Sequence, residues 1–287
     1  MTMPHVQTFF DEVTATWTYV VWCAQTKACA VIDSVLDYDL YAGRTSTHSA
    51  DAVISFMNTQ GLTLEWILET HIHADHLTAA AYLKEKLGGR TGIGARITEV
   101  LRTWQPIFQN EEDTPLTGEQ FDTLFEDGAR FQIGNLDAAF LSVPGHTPVD
   151  GAYVIGECVF VGDAMFLPDV GTGRCDFPGG SATDSYASCQ KLLALPDHYQ
   201  MYVGHDYPPA DGRGVMASTT IGAQKEENIR VHAQVAEEVY VQKRRRDDTE
   251  KPVPKMLIPA LQVNLRAGSF GTPQNGTCYV KVPVNKL

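Results

Sequence analysis

Apolar positions in the first third of the chain come in short β-branched and aromatic runs, not at helical spacing. Residues 14–23 (TATWTYVVWC) and 28–33 (ACAVID) are two such runs, split by the polar turn Gln25-Thr26-Lys27, and they predict adjacent strands. Ser49 then offers a cap for a helix over 51–60, which Gly61 closes. Residues 64–68 form a short apolar strand that runs into a histidine cluster, and 77–87 predicts a helix stopped by Gly88-Gly89.

The same punctuation recurs downstream. A strand over 138–143 ends in Pro144-Gly145-His146, one over 158–161 in Gly162-Asp163, and one over 201–203 in Gly204-His205. Helices are predicted over 183–195 and from 219 to about 246, the second with a break. Prolines 252, 254 and 259 predict irregular chain in the tail. Residues 1–250 are therefore expected to form one α/β catalytic domain, with 251–287 as an extension packed on it. Four strands each end in a small residue or tight turn and then a ligand-type side chain: His71, His146, Asp163 and His205. Layered α/β folds bring side chains together beyond their strand ends, so this pattern predicts convergence on one site.

The cluster 71–76 (HIHADH) sharpens that expectation. His71 and His73 are two apart on extended chain and share a side, while Asp75 and His76 follow where the chain turns. Four such groups within six residues can wrap one cation or two adjacent ones. His146 lies in Pro-Gly-His-Thr-Pro, a rigid turn that presents one side chain in a fixed direction. His5, His48, His198 and His232 lie in no comparable setting and read as surface residues.

Composition narrows the surroundings. With 44% apolar and 20% charged residues the chain is of ordinary globular type. Its formal charge of -13 disfavours nucleic acid and anionic membrane surfaces as partners. No run approaches the ~20 apolar residues that cross a bilayer, and residues 1–11 do not read as a secretory signal. Six scattered cysteines without a C-x-x-C pair fit a reducing compartment, so a cytoplasmic location is expected. The basic run 243–246, followed by Asp247-Asp248, reads as a solvated helix end. Homo-oligomerisation stays open, with 242–267 as the segment available for an interface.

The ordered motifs Thr70-His71-Ile72-His73-Ala74-Asp75-His76, Gly145-His146-Thr147, Gly162-Asp163 and Gly204-His205 resemble those of the metallo-β-lactamase superfamily. The resemblance covers about residues 10–230. It implies an αβ/βα sandwich, two mixed β-sheets flanked by helices, with a metal site at one edge. Residues 171–181 (GTGRCDFPGGS) are similar to the G-R-x-D-F stretch of the glutathione persulfide dioxygenases, in particular the bacterial type with an extended C-terminus. That similarity implies one Fe(II) per chain on His71, His146 and Asp163, a facial set that leaves three positions open for the reactants. The substrates it implies are glutathione persulfide and O2, and the products sulfite and glutathione. His73, Asp75, His76 and His205 would then orient the iron ligands or form a second metal site. Arg174 is the first candidate for a substrate carboxylate, with Tyr207 and Arg213 behind it. Cys175 reads as an inert buried thiol. The alternative is a dinuclear zinc hydrolase of glutathione thioesters, similar to glyoxalase II, or of other esters or thioesters, for which every second-site ligand is also present.

Overall fold

The structure is a computed structural model that describes residues 3–208 and 212–286. The first half of the chain supplies β1 (His5–Asp11), β2 (Thr16–Trp22), β3 (Ala28–Ile32), β4 (Val35–Asp39), β5 (Arg44–Ser46) and α1 (His48–Gln60). There follow β6 (Thr63–Leu68), β7 (Leu77–Thr78), α2 (Ala80–Leu87), β8 (Arg90–Gly94), α3 (Ile97–Phe108) and β9 (Thr123–Phe125). The second half supplies β10 (Arg130–Ile133), β11 (Leu136–Ser142), β12 (Gly151–Ile155), β13 (Cys158–Phe160) and α4 (Ala182–Leu193). It closes with β14 (Gln200–Tyr202), β15 (Ser218–Thr220), α5 (Ile221–Glu227), α6 (Glu237–Asp248) and α7 (Leu257–Asn264).

These strands make two mixed six-stranded sheets, ordered β1-β2-β3-β6-β8-β9 and β10-β11-β12-β13-β14-β15. Strand alternation explains why both can be covered on each face. In β2, Trp17, Tyr19 and Val21 point between the sheets with Trp66, Phe140 and Phe160, whereas Val20 points outward to α1, α2 and α7. The outer face of the second sheet packs Val159, Val161 and Met201 against α4, α5 and α6. Helices thus lie outside both sheets, the α/β sandwich anticipated from the motifs.

Several elements differ from the sequence reading. The 77–87 segment opens as β7, which joins β4 and β5 in a small third sheet, and turns helical only at Ala80. Thr47, not Ser49, precedes α1; the Ser49 hydroxyl instead donates to Asp37 Oδ1 at 2.7 Å. The 219–246 stretch is two helices, α5 and α6. The tail contains α7, because Pro259 sits in its first turn, where a backbone N–H has no helical partner to lose. Leu257, Ala260, Leu261, Val263 and Leu265 are buried in the chain's own core, so this part of 242–267 is not free to form an interface. The basic run is not wholly solvated either, since Arg244 is buried and paired with Asp248.

Trp66 tests the inter-sheet core. It is 3% exposed, donates its indole N–H to Gln132 O at 2.9 Å, and carries the Arg90 guanidinium 4.0 Å above its ring. Trp66→Ala is expected to cost about 3–5 kcal/mol in urea unfolding; a loss below about 1 kcal/mol would show that the core refills the space.

Candidate metal centre

The histidines are placed by strand ends on both sheets. His71, His73, Asp75 and His76 lie between β6 and β7; His146 lies between β11 and β12, Asp163 after β13 and His205 after β14. The two sheets are stitched together here: Gly151 N donates to Thr70 O at 2.8 Å and Trp17 N to Gly204 O at 2.9 Å, while Gly204 N donates to Gly162 O at 3.0 Å and extends the pairing within the second sheet. Gly204 must lack a side chain, since a Cβ there would lie 2.7 Å from Asp163 Oδ1.

Each ring nitrogen has a definable role. The Thr70 hydroxyl donates its only proton to Asp33 Oδ2 at 2.8 Å, so towards His71 Nδ1, 3.0 Å away, it can only accept. His71 therefore carries its proton on Nδ1 and leaves Nε2 bare. Burial, with His73 and His146 adding to it, keeps this ring's pKa well below the usual histidine value, so it is neutral. His146 Nδ1 donates to the carbonyl of Arg174 at 2.7 Å, which turns Nε2 towards Asp163 Oδ2, 3.6 Å away. His205 Nδ1 donates to Ala15 O at 3.1 Å, while its Nε2 faces Asp75 Oδ2 at 3.4 Å and Asp163 Oδ1 at 3.5 Å. His73 Nε2 donates to Asp33 Oδ1 at 3.0 Å, with Glu69 Oε2 at 3.4 Å. His76 Nδ1 lies 3.0 Å from Asp75 Oδ2.

What remains is a set of inward-facing atoms that no group among the described residues satisfies: His71 Nε2, His73 Nδ1, His76 Nε2 and Asp163 Oδ1. A buried polar atom left without a partner is costly. Imidazole nitrogens and a carboxylate oxygen are the donor set that a divalent transition metal fills. One ligand atom from each of His71, His146 and Asp163 lies within 4.8 Å of the others, and the same holds for His73, Asp75 and His76. The residues present therefore fit a metal, with Asp163 reaching from the His146 side to the His205 side. Burial opposes the charge on Asp75, but His205 and His76 outweigh it and hold the carboxyl well below the usual carboxylate range.

Two carboxylates join this network beyond those the motifs single out. Asp33 directly follows β3, which runs parallel to β6, so it leaves the sheet beside the histidine loop. Glu69 is nearly fully buried and accepts from the Thr78 hydroxyl at 2.5 Å. From the other side, α7 closes the loop: Asn264 Nδ2 donates to His73 O and to His76 O, each at 2.8 Å, and its Oδ1 accepts from Thr78 N at 2.8 Å.

A cavity of about 280 Å³ opens on the centre, lined by His146, Asp163, His205, Phe177, Tyr207 and Lys251 among others. Phe177 stands edge-on to His146 with centroids 5.1 Å apart, and Tyr207 stacks on His205 at 5.7 Å. Arg174 also lines it, with Nε and Nη2 on Asp176 at 2.6 and 2.7 Å and Nη1 on Pro252 O at 2.8 Å. The fork of Arg213 is taken by Asp206 and Asp169, so this residue braces the turn after β14. Lys251 carries no motif that would mark it in the sequence. Cys175 is buried, and burial pushes its thiol up to about 12, which suits an inert side chain. His5, His48 and His198 are exposed, away from the cluster.

Comparison with known proteins bears on the family and the fold. The model of the metallo-beta-lactamase superfamily matches residues 11–205. The chain is 46% identical to the beta-lactamase hydrolase-like protein of Agrobacterium fabrum, over 99% of this chain and 66% of that one, and so spans a little under two thirds of that relative's length. It is 44% identical to glyoxylase B2 of Dictyostelium discoideum, over 98% of this chain and 97% of that one. It is 29% identical to the mitochondrial persulfide dioxygenase of Bos taurus, over 90% and 87%. The crystal structure of ETHE1 from Myxococcus xanthus superposes with a TM-score of 0.73 at 28% identity, over 92% of this chain and 100% of that one.

The clamp from α7 gives a test. Asn264→Ala leaves two buried carbonyls and one amide unpaired, so unfolding should cost about 1–3 kcal/mol less. Metal affinity, measured by chelator competition, should fall about 10–100-fold. Unchanged affinity would show that the loop holds its shape without α7.

Proposed function

The chain belongs to the metallo-beta-lactamase superfamily, and from that premise we propose that it is an iron-dependent dioxygenase converting glutathione persulfide to sulfite and glutathione. The observation carrying this reading is the role of the 171–177 segment, whose similarity to the persulfide dioxygenases is the most specific in the chain. Its Arg174 carbonyl orients His146, and its Phe177 walls the cavity above that ring. The likeness to the bovine persulfide dioxygenase supports the same conclusion.

His71, His146 and Asp163 would hold one Fe(II) per chain. Iron supplies redox chemistry between the persulfide and O2 that zinc, with no accessible redox change, does not. The balance is one persulfide, one O2 and one water giving one thiol, one sulfite and two protons: the terminal sulfur is oxidised and O2 reduced. The protein's part is orientation. Thr70 and the Arg174 carbonyl fix the tautomers of His71 and His146, while His73, Asp75, His76 and His205 either hold this arrangement from the side or bind a second ion. Arg174 and Tyr207 face the cavity as substrate-side residues, and Arg213 acts through the turn that carries His205 and Tyr207.

A dinuclear zinc hydrolase of glutathione thioesters is the second reading. It is favoured by the grouping of His73, Asp75 and His76 and by the identity to the Dictyostelium glyoxylase. Among the described residues no helix is long and apolar enough to cross a membrane.

Anaerobic purification followed by metal analysis and O2 uptake separates the two. Near-stoichiometric iron and sulfite production from glutathione persulfide is the expected result; zinc with S-lactoylglutathione turnover and no O2 uptake would establish the hydrolase. His146→Ala should abolish metal binding. Arg174→Ala should raise KM severalfold with kcat little changed, and an unaltered KM would remove Arg174 from the substrate side.

A further inference from the structure

In a protein of formal charge -13, Lys251 lies close enough to three other cations, Arg244, Arg174 and Arg230, to feel their charge, and Arg174 lines the cavity with it. Three are neutralised at close range. Arg174 forks onto Asp176, Arg230 Nη1 lies 2.6 Å from Asp247 Oδ2, and Arg244 Nε lies 3.0 Å from Asp248 Oδ2. Among the described residues Lys251 is left over. Its nearest carboxylate oxygen is Asp248 Oδ1 at 3.8 Å, and that carboxylate already accepts from the Arg244 guanidinium and from Cys175 N at 2.9 Å. Lys251 is thus the cation of this group without a close carboxylate of its own among the described residues, and it lines the cavity with His146, Asp163 and His205.

Its position is held from behind. Lys251 N donates to Asp248 O at 3.1 Å at the end of α6, and Arg174 Nη1 holds the next carbonyl, that of Pro252. Its side chain is 38% exposed, so it meets both solvent and an entering ligand. Burial, and then Arg244, bring its pKa below the usual lysine value, an unfavourable balance that an added anion relieves.

We propose that Lys251 is the specificity residue that selects persulfides bearing a carboxylate on their thiol portion, so that the chain following α6 supplies part of the substrate site. This rests on the persulfide reading above. Arg174, which lines the same cavity, also holds the Lys251-Pro252 backbone through its guanidinium.

The test compares wild type with Lys251→Gln, Lys251→Glu and Lys251→Arg, following O2 uptake with glutathione persulfide and with the uncharged 2-hydroxyethyl persulfide. Binding of S-methylglutathione is measured separately by calorimetry. Removing one charge-assisted hydrogen bond to the substrate predicts a roughly tenfold rise in KM for glutathione persulfide in Lys251→Gln, with kcat retained. Lys251→Glu should rise further, and Lys251→Arg should stay near wild type. KM for the uncharged persulfide should not move, and the Kd of S-methylglutathione should rise in parallel with the glutathione persulfide KM. Equal KM rises for both persulfides, or no rise for either, would overturn the assignment. If wild type consumes no O2 with either persulfide, the persulfide reading fails. The calorimetry then decides Lys251 alone: weaker binding in Lys251→Gln upholds a carboxylate-binding role, and unchanged binding ends it.

Discussion

The carboxylate of Asp33 is the point on which the centre turns. It is 1% exposed, yet its two oxygens serve three donors: Thr70 N, the Thr70 hydroxyl and His73 Nε2. A buried charge of this kind is tolerated only when fully engaged by hydrogen-bond donors. By taking the Thr70 proton it forces that hydroxyl to accept from His71, and so decides which nitrogen of His71 faces His146 and Asp163. By holding His73 Nε2 it does the same for a second ring. Asp33 itself has φ 52°, a left-handed conformation that aspartate tolerates better than most residues, at the end of a central strand. One side chain thus links the backbone of the first sheet to the chemistry at its edge.

The remaining ligands obey the same logic with other partners. Carbonyls of Arg174 and Ala15 fix His146 and His205, and a carbonyl can only accept, so each ring presents its other nitrogen inward. None of these partners is adjacent in sequence to the ring it orients. The packing of two sheets is what brings them together, and the helices on the outer faces keep the sheets in register.

Much of this is legible in the chain. Three strand ends carry glycine just before the histidine or aspartate (Gly145, Gly162 and Gly204), a fourth delivers the cluster 71–76, and together they point to one convergent site. Asp33 has no such mark, since it follows the apolar run of β3 with no turn residue before it. Other parts leave weaker traces. The helix α3 carries a strong apolar face on Ile97, Val100, Leu101, Trp104 and Phe108, but Pro106 near its end blurs the pattern. In α7, proline again masks a helix, though in a first turn it costs little. The burial of Arg244 within a basic run, and the loose pairing of Lys251, depend on which acids lie opposite, and that is tertiary information.

The clamp on the histidine loop also sets an order of events. Asn264 stands 188 residues after His76, whose carbonyl it holds. A ribosome building this chain releases His71 to His76 long before it has made the residue that fixes them. Pairings so distant in sequence close late, after local and intra-sheet structure has formed. The histidine loop is therefore made well before its clamp, and its two held carbonyls find their partner only after α7 has been made and packed.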